Sequence, residues 1–311
     1  MHENNETRVD FWPGNPLSYT TTKLHVFRND IPLSSASAFV IQLGNMYALI
    51  TNWHVVSGYN PANGQSLSLT GALPNRVEFH VAISTTWEEN GRHAELLEFK
   101  PLSISLFDGD EPVWVDDRVD GTQNDYVAID LLNYVPELSL NKAALRAITA
   151  GRVTPKKDRQ LPTYGPYAAD DFQNLYPGVG KEVFVLGYPK GIASNGIFPI
   201  WKRASVASEP QVSTILNGIE HENAFFIDTL TKSGMSGSPV VCLTKPGDEM
   251  YAEDGTPIPI HNAEAFVVGV YAGREGITQE EYELSVGRVW KIGAVEKMIM
   301  NSAAKYARKH P

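Results

Sequence analysis

The apolar positions of this chain fall mostly in short runs bounded by Gly, Pro, Asn and Asp, which is typical of strands rather than helices. The runs at 37–43 and 46–51 flank Gly44 and Asn45 and predict a β-hairpin. Further strands are predicted near 77–83, 94–107, 182–188, 197–206, 223–229, 238–243 and 264–271. The pattern therefore predicts a chain dominated by β-structure.

Two other stretches set the predicted domain organisation. Residues 291–308 have apolar side chains at helical spacing and end in basic residues, which favours a C-terminal helix. Residues 150–180 carry Gly, Pro and paired charges with little periodicity, so we expect them to connect two strand-rich halves. The predicted segments are an extended N-terminal arm at 1–22, a first β-domain at 23–150, a connection at 151–180, a second β-domain at 181–290 and a helix at 291–311.

Composition narrows the classes of partner. The 311 residues carry a net charge of −10, which gives no basic surface for nucleic acid. The chain has no run of about 18 apolar residues that could span a membrane, and its first residues lack the pattern of a signal peptide. The single cysteine, Cys242, excludes an intramolecular disulfide. These features predict a cytoplasmic protein that binds neither nucleic acid nor membrane, and they leave its oligomeric state open.

Three short segments place a reactive side chain beside an apolar strand. His54 lies in TNWHVV, Asp125 opens DYVAI, and Ser236 lies in SGMSGSPVV, where Gly234 and Gly237 permit a tight turn. A single histidine is more often a core residue, and a single aspartate is more often a cap or turn residue. His, Asp and Ser in this order, each at a strand end, are together typical of a nucleophilic triad at a domain interface.

At all three segments the chain resembles the trypsin-like serine peptidases of the chymotrypsin fold. TNWHVV is similar to their histidine segment, NDYVAI to their aspartate segment and SGMSGSPVV to their nucleophile segment. The likeness covers roughly residues 23–300 and is greatest to bacterial stand-alone members of the family. It implies an all-β fold of two packed six-stranded antiparallel β-barrels with a C-terminal α-helix and an active site between the barrels.

The resemblance implies a serine endopeptidase that hydrolyses protein or peptide substrates through an acyl-enzyme, without a metal or cofactor. His54 would be the general base, Asp125 would orient its imidazole, and Ser236 would be the nucleophile. The backbone N–H groups of Gly234 and Ser236 would form the oxyanion hole. The rival candidates in the same segments are Ser233, Ser238 and Asp130.

The resemblance also implies a specificity pocket, lined by Leu230, Thr231, Tyr271, Ala272 and Gly273. Leu230 stands where relatives that cut after Lys or Arg carry a buried aspartate, so a basic side chain would lack a partner there. Thr231 matches the threonine that glutamyl-type relatives use, but Tyr271 replaces their histidine. Glu283 is the residue that would restore a basic preference. We expect cleavage after uncharged residues, Gln or Glu rather than after Lys or Arg.

Two alternatives belong to other functional types. A catalytically inactive binding scaffold, or pseudoprotease, would keep the fold without the chemistry, and the presence of all three triad residues argues against it. A quality-control protease of the HtrA type would carry a peptide-binding PDZ module, for which the C-terminal helix leaves no room. We therefore expect a single-module protease.

Overall fold

The structure is a computed structural model. It describes residues 7–9, 15–44, 46–89, 92–118, 124–135, 138, 145–149, 154–155, 172–216, 219–274 and 286–309. The elements of the first half are β1 (Thr7–Val9), α1 (Leu17–Thr20), β2 (Thr21–Arg28), β3 (Ile31–Leu43), β4 (Met46–Thr51), α2 (Trp53–Ser57), β5 (Arg76–Glu89), β6 (Arg92–Ser105), β7 (Phe107–Asp108), β8 (Glu111–Pro112), β9 (Trp114–Val115), β10 (Val127–Asp130), α3 (Leu131–Tyr134) and β11 (Ile148–Thr149).

The second half continues the strand-rich pattern and ends in the long helix. Its elements are β12 (Thr154–Pro155), β13 (Phe172–Gln173), β14 (Glu182–Gly187), β15 (Ile200–Val206), β16 (Thr214–Leu216), β17 (Ile219–His221), β18 (Ala224–Asp228), β19 (Pro239–Thr244), β20 (Glu249–Tyr251), β21 (Pro257–Pro259), β22 (Glu264–Arg274), β23 (Val286–Lys291) and α4 (Ile292–Lys309).

The second half forms a closed antiparallel barrel of six strands, in the order β14-β15-β18-β23-β22-β19. Alternating apolar residues of these strands point inward and fill the barrel, as expected for strands with one buried face. Among the buried side chains are Val185, Phe225, Val240, Val268 and Val289. This barrel confirms the expectation for the second half of the chain.

The first half forms a nine-stranded sheet in the order β1-β6-β5-β2-β3-β4-β10-β9, with β11 pairing in parallel with β3. Its buried face includes Leu24, Val40, Leu49, Val81 and Ile129. The six central strands correspond to the expected barrel strands, but within the described residues no pairing joins β10 to β6. The all-β class with a C-terminal helix is confirmed, whereas the first sheet has additional strands and follows an open path.

The N-terminal residues differ from the predicted extended arm. Residues 7–9 pair with β6, and residues 17–20 form a short helix that leads directly into β2. Asn15 accepts the N–H of Leu17 through Oδ1 (3.0 Å), and the hydroxyl of Thr20 donates to the carbonyl of Leu17 (3.0 Å). Pro16 at the N-cap does not oppose this turn, because the first helical residues need no intrahelical N–H donor. Most of the predicted connection at 151–180 lies outside the described residues.

Helix α4 packs against both halves of the molecule. Its buried residues share one apolar cluster with side chains of the first sheet and of the second barrel. The cluster includes Phe39, Ile50 and Ala128 of the first sheet, Ala224, Val270 and Trp290 of the barrel, and Val295, Met298 and Ile299 of the helix. None of the described helices is both long and apolar enough to cross a membrane.

We predict that Ile299→Ala destabilises the fold much more than Lys297→Ala on the same helix. Ile299 is 1% exposed within the shared cluster, whereas Lys297 is exposed. Removing a buried isoleucine side chain to alanine typically costs about 2–5 kcal/mol through lost burial and a residual cavity. Urea unfolding followed by circular dichroism measures the difference. Equal unfolding midpoints for the two variants would contradict the packing described for α4.

Candidate active site

His54 and Asp125 form a paired contact at the ends of two neighbouring strands. His54 lies in α2, three residues after the end of β4, and Asp125 lies two residues before β10, which pairs with β4. The Nδ1 atom of His54 is 2.7 Å from Oδ2 of Asp125, and the backbone N–H of His54 donates to Oδ1 at 2.9 Å. The Asp125 side chain is 2% exposed and that of His54 is 18% exposed. The carboxylate thus fixes both the ring and the backbone of His54, and Nε2 is the ring nitrogen left for proton exchange.

The backbone on both sides of Asp125 is also fixed. Asn52, two residues before His54, donates from Nδ2 to the carbonyl of Asp125 (2.6 Å). Arg118 donates from Nη1 to the carbonyl of Asn124 (2.5 Å), and its guanidinium carbon lies 3.9 Å from the centre of the Trp53 ring. A cation above an indole ring is a favourable arrangement. Arg118 therefore couples the aspartate segment to the helix that carries the histidine.

Asp117 provides a second anchor for the same segment. Its carboxylate accepts the hydroxyl of Tyr126 (2.7 Å) and the Nδ2 group of Asn124 (3.0 Å). Burial, together with the charge and hydrogen bond of Asp117, raises the pKa of Tyr126 well above its usual range, so this hydroxyl remains a donor. The residues that flank Asp125 on either side are thereby tied to one carboxylate.

Ser236 lies in a tight turn whose glycines are required by its geometry. Gly234 and Gly237 have φ values of +95° and +83°, a region that other residues rarely adopt. A Cβ atom at Gly237 would lie 2.1 Å from the carbonyl oxygen of Ser37 and 2.4 Å from Oγ1 of Thr51. The turn therefore packs directly against the first sheet, at strands β3 and β4.

Ser37 takes part in four hydrogen bonds, two of which join the turn to the first sheet. Its N–H donates to the carbonyl of Ser236 (2.8 Å), and its hydroxyl donates to the carbonyl of Gly234 (2.7 Å). The same hydroxyl accepts the N–H of Tyr188 (3.1 Å), while Thr51 donates its hydroxyl to the Ser37 carbonyl (2.9 Å). Thr51 precedes His54 by only three residues, so these bonds bring the Ser236 turn to the histidine segment. Ser37, Thr51, Gly234, Ser236 and Gly237 are called the Ser37 junction below.

The backbone of the turn leaves two N–H groups available near Ser236. The N–H of Gly237 donates to the Tyr271 carbonyl (2.9 Å), and the N–H of Ser238 donates to the carbonyl of Met235 (3.0 Å). Among the described residues, neither the N–H of Gly234 nor that of Ser236 donates to a backbone carbonyl. Two free amides beside a hydroxyl can stabilise a developing oxyanion. No hydrogen bond links the side chains of His54 and Ser236 within the same described set.

The rival residues occupy different environments. Ser238 is fully buried and its hydroxyl lies against Gly187, where an added Cβ would come within 2.0 Å of it. Ser233 is exposed, and its carbonyl accepts the N–H of Lys190 (2.6 Å). Asp130 caps α3 by accepting the N–H of Leu132 (3.1 Å). Among the described contacts, Asp125 is the carboxylate that pairs with His54.

Comparison with known families gives one match that covers most of the chain. A sequence model of the family described as "Trypsin-like peptidase domain" matches residues 36–245, a range that includes His54, Asp125 and Ser236. The chain belongs to the trypsin-like peptidase domain family. Comparison of its sequence with curated proteins gave no match.

Two solved structures also align with this trypsin-like peptidase domain. A serine endoprotease from Yersinia pestis is 11% identical, with a TM-score of 0.39, and the alignment covers 94% of this chain and 67% of the other. An inactive serine-to-alanine mutant of Rv3671c from M. tuberculosis H37Rv is 14% identical, with a TM-score of 0.37 and coverages of 92% and 89%. Likenesses this remote carry no information about the chemistry of this chain.

The residues expected to line the specificity pocket differ widely in how far they are exposed to solvent. Thr231 and Tyr271 are 4% and 1% exposed, and their hydroxyl groups are hydrogen-bonded to each other. Leu230 is 56% exposed, so it does not occupy the buried position that an aspartate has in relatives that cut after Lys or Arg, and its place in the pocket stays a prediction. Residues of an extended segment alternate sides, and here Thr229 and Thr231 point inward. Ala272 and Gly273 are half-buried on β22, and Glu283 lies outside the described residues.

Possible metal ligands and the single cysteine are the other candidates for reactive chemistry. Within the described ranges, no group of three His, Cys, Asp or Glu side chains is arranged to hold a metal ion. Cys242 is fully buried on β19, and burial raises the pKa of its thiol to about 11. A thiol with a raised pKa holds little of the reactive thiolate form.

We predict that Ser37→Ala destabilises the peptidase domain, whereas Ser34→Ala on the same strand does not. Losing the Ser37 hydroxyl leaves the carbonyl of Gly234 and the N–H of Tyr188 without their buried partner. An unpaired buried polar group typically costs about 1–3 kcal/mol. Ser34 is exposed and serves as the matched control. Denaturant unfolding of both variants is the measurement, and an unchanged midpoint for Ser37→Ala would contradict the junction.

Proposed function

We propose that this chain is a serine endopeptidase in which His54, Asp125 and Ser236 act as the catalytic triad. The observation that carries the proposal is the double contact of Asp125 with the ring and backbone of His54, at 2.7 and 2.9 Å. The Ser37 junction supports it, because it fixes the Ser236 turn against Thr51, which ends β4 three residues before His54. Membership of the trypsin-like peptidase domain family supports the same reaction class.

In the proposed acylation step, His54 removes the hydroxyl proton of Ser236 through Nε2 as the serine oxygen attacks the carbonyl carbon of a peptide bond. The negative charge that develops on the carbonyl oxygen is stabilised by the N–H groups of Gly234 and Ser236. Donors of this kind typically contribute about 10²–10³-fold each to kcat. The protonated His54 then delivers its proton to the leaving amine, and the acyl group remains on Ser236.

In the deacylation step, His54 accepts a proton from water as the water oxygen attacks the acyl carbonyl carbon. The proton then returns to Ser236 as the new carboxyl group leaves. Asp125 remains an acceptor throughout and stabilises the imidazolium form of His54. The guanidinium of Arg118 lies within electrostatic reach of Asp125. It adds a positive charge near the His54–Asp125 pair.

The substrate class we propose is a protein or peptide, and the reaction needs no cofactor. Every reacting group in the scheme is a side chain or backbone amide of this chain, and water is the second reactant. A cytoplasmic location stays a prediction from the sequence.

A catalytically inactive binding scaffold is the second candidate. The observation in its favour is that no hydrogen bond joins the side chains of His54 and Ser236 among the described residues. Such bonds are often long in the absence of substrate and shorten when it binds. The His54–Asp125 pair has the contact that a general base requires, at 2.7 Å, so we favour the enzyme.

We predict that Ser236→Ala and His54→Ala each lower kcat by about 10⁴-fold or more and that the double variant loses little beyond this. Residues that act as one unit give non-additive losses, because removing either one already abolishes the shared step. The measurement is hydrolysis of a quenched fluorescent peptide library under conditions of substrate excess. Ser233→Ala changes an exposed serine of the same segment and should keep activity near that of the wild type.

Three results would count against this assignment. Wild-type hydrolysis by Ser236→Ala would exclude Ser236 as the nucleophile. Additive losses in the double variant would mean that His54 and Ser236 do not act in one step. A wild-type protein that hydrolyses no peptide in the library, although it is folded, would favour the inactive scaffold.

A further inference from the structure

Tyr271 lies immediately beside the Ser236 turn. Its carbonyl accepts the N–H of Gly237 (2.9 Å), and its own N–H donates to the carbonyl of Ser238 (2.9 Å). The two residues that follow Ser236 are thus fixed to Tyr271. The side chain of Tyr271 is 1% exposed, so it points away from solvent and into the second barrel.

The ring of Tyr271 fills the space between two chain segments that flank the turn. On one side its hydroxyl bonds to the hydroxyl of Thr231, five residues before Ser236. On the other side a Cβ atom added to Gly287 would lie 2.5 Å from the ring atom Cε2 of Tyr271 and 3.0 Å from its hydroxyl oxygen. The same added atom would be 3.2 Å from Cγ2 of Thr229. The ring therefore packs closely against the backbone of β23 at Gly287, near Thr229, and its hydroxyl is bonded to Thr231.

The strand geometry and the core hold the ring in this position. The pairing of β22 with β23 shifts register between Tyr271 and Gly273, and Gly273 has a φ of +125°. A β-bulge of this kind redirects the side chain next to it. The ring also belongs to the core cluster of the barrel, together with Met235, Phe225 and Val289. Close packing on several sides leaves the ring few alternative rotamers.

This arrangement limits what can bind beside Ser236. The pocket that the resemblance implies for the substrate side chain on the acyl side of the cut lies between the 229–231 segment and β22. There the Tyr271 ring contacts both Thr231 and the backbone at Gly287. A large side chain could enter only by displacing the ring and breaking its buried bond to Thr231. A Gln or Glu side chain would find the hydroxyl of Thr231 already bonded to Tyr271, on a residue that is 4% exposed.

We propose that Tyr271 is the specificity-determining residue and that it restricts cleavage to bonds that follow small residues, namely Gly, Ala and Ser. The proposal rests on the proposed function, with Ser236 as nucleophile. It replaces the broader expectation from the sequence, which admitted medium-sized uncharged residues, Gln and Glu. The decisive property is the volume of the ring, and the hydroxyl bond to Thr231 is secondary to it.

The test compares kcat/KM for peptides that differ only at the residue before the cut, with Ala, Leu, Phe and Gln at that position. The wild type should cleave the Ala peptide at least about tenfold better than the other three, a discrimination within the range of a shape-limited pocket. Tyr271→Ala should raise kcat/KM for Leu or Phe relative to Ala by at least about tenfold. Tyr271→Phe keeps the ring and should keep the wild-type order.

Phe266→Ala is the matched control for loss of a buried ring. Phe266 lies on the same strand and in the same core cluster, and it is 9% exposed. We expect this variant to keep the wild-type preference, because its cavity does not lie beside Ser236. A gain of Leu or Phe cleavage in Phe266→Ala equal to that in Tyr271→Ala would overturn the proposal.

The outcomes separate this inference from the proposed function. Ser236-dependent cleavage by the wild type that favours Leu, Phe or Gln over Ala would overturn the role of Tyr271 and leave the peptidase assignment standing. The absence of Ser236-dependent cleavage for every peptide would overturn the proposed function and this inference with it. If Tyr271→Ala does not fold, the wild-type profile and Tyr271→Phe still decide, since loss of the Ala preference in Tyr271→Phe contradicts a role based on ring volume.

Discussion

The geometry of the site depends on the bonding of one buried serine. Ser37 is 0% exposed and holds the carbonyls of Ser236 and Gly234 from the first sheet, while Thr51 of the neighbouring strand holds Ser37. Because Gly237 has no side chain, the turn can approach these strands more closely than any other residue would allow. Without these contacts, the position of Ser236 would depend on the second barrel alone and that of His54 on the first sheet alone. The proposed chemistry requires the two residues to be held within hydrogen-bond reach of each other.

Contacts close to the site and contacts further from it both restrict movement of these residues. Close to the site, Arg118 and Asp117 bind the backbone and side chains next to Asp125, so the carboxylate has little freedom to turn away from His54. Further away, α4 and Trp290 share a core with the inner strands of the first sheet, which resists sliding of one half against the other. Rigid placement by secondary structure and buried hydrogen bonds is the arrangement that precise catalytic geometry needs.

The sequence predicted the parts of the structure that local pattern controls. The hairpin of β3 and β4 and the three reactive segments combine apolar runs with turn residues, and they were found where the pattern indicated. Strand β23 was missed because Arg288 and Lys291 are buried within it and interrupt its apolar pattern. The importance of Ser37 had no local signal, since Gly234 in the Ser236 turn lies 197 residues away and the contact depends on tertiary packing. The outward orientation of Leu230 also depends on how the chain leaves β18, which no spacing rule specifies.

The most direct test of the central claim is to locate the site of covalent labelling by a fluorophosphonate, which reacts with serines activated as nucleophiles. Peptide mapping by mass spectrometry identifies the modified residue in folded protein and in protein unfolded in urea. The account predicts one adduct, on Ser236, that forms in the folded protein, is lost on unfolding and does not form in His54→Ala. A folded protein that remains unlabelled, or that is labelled on Ser233 instead, would contradict the claim that the fold activates Ser236.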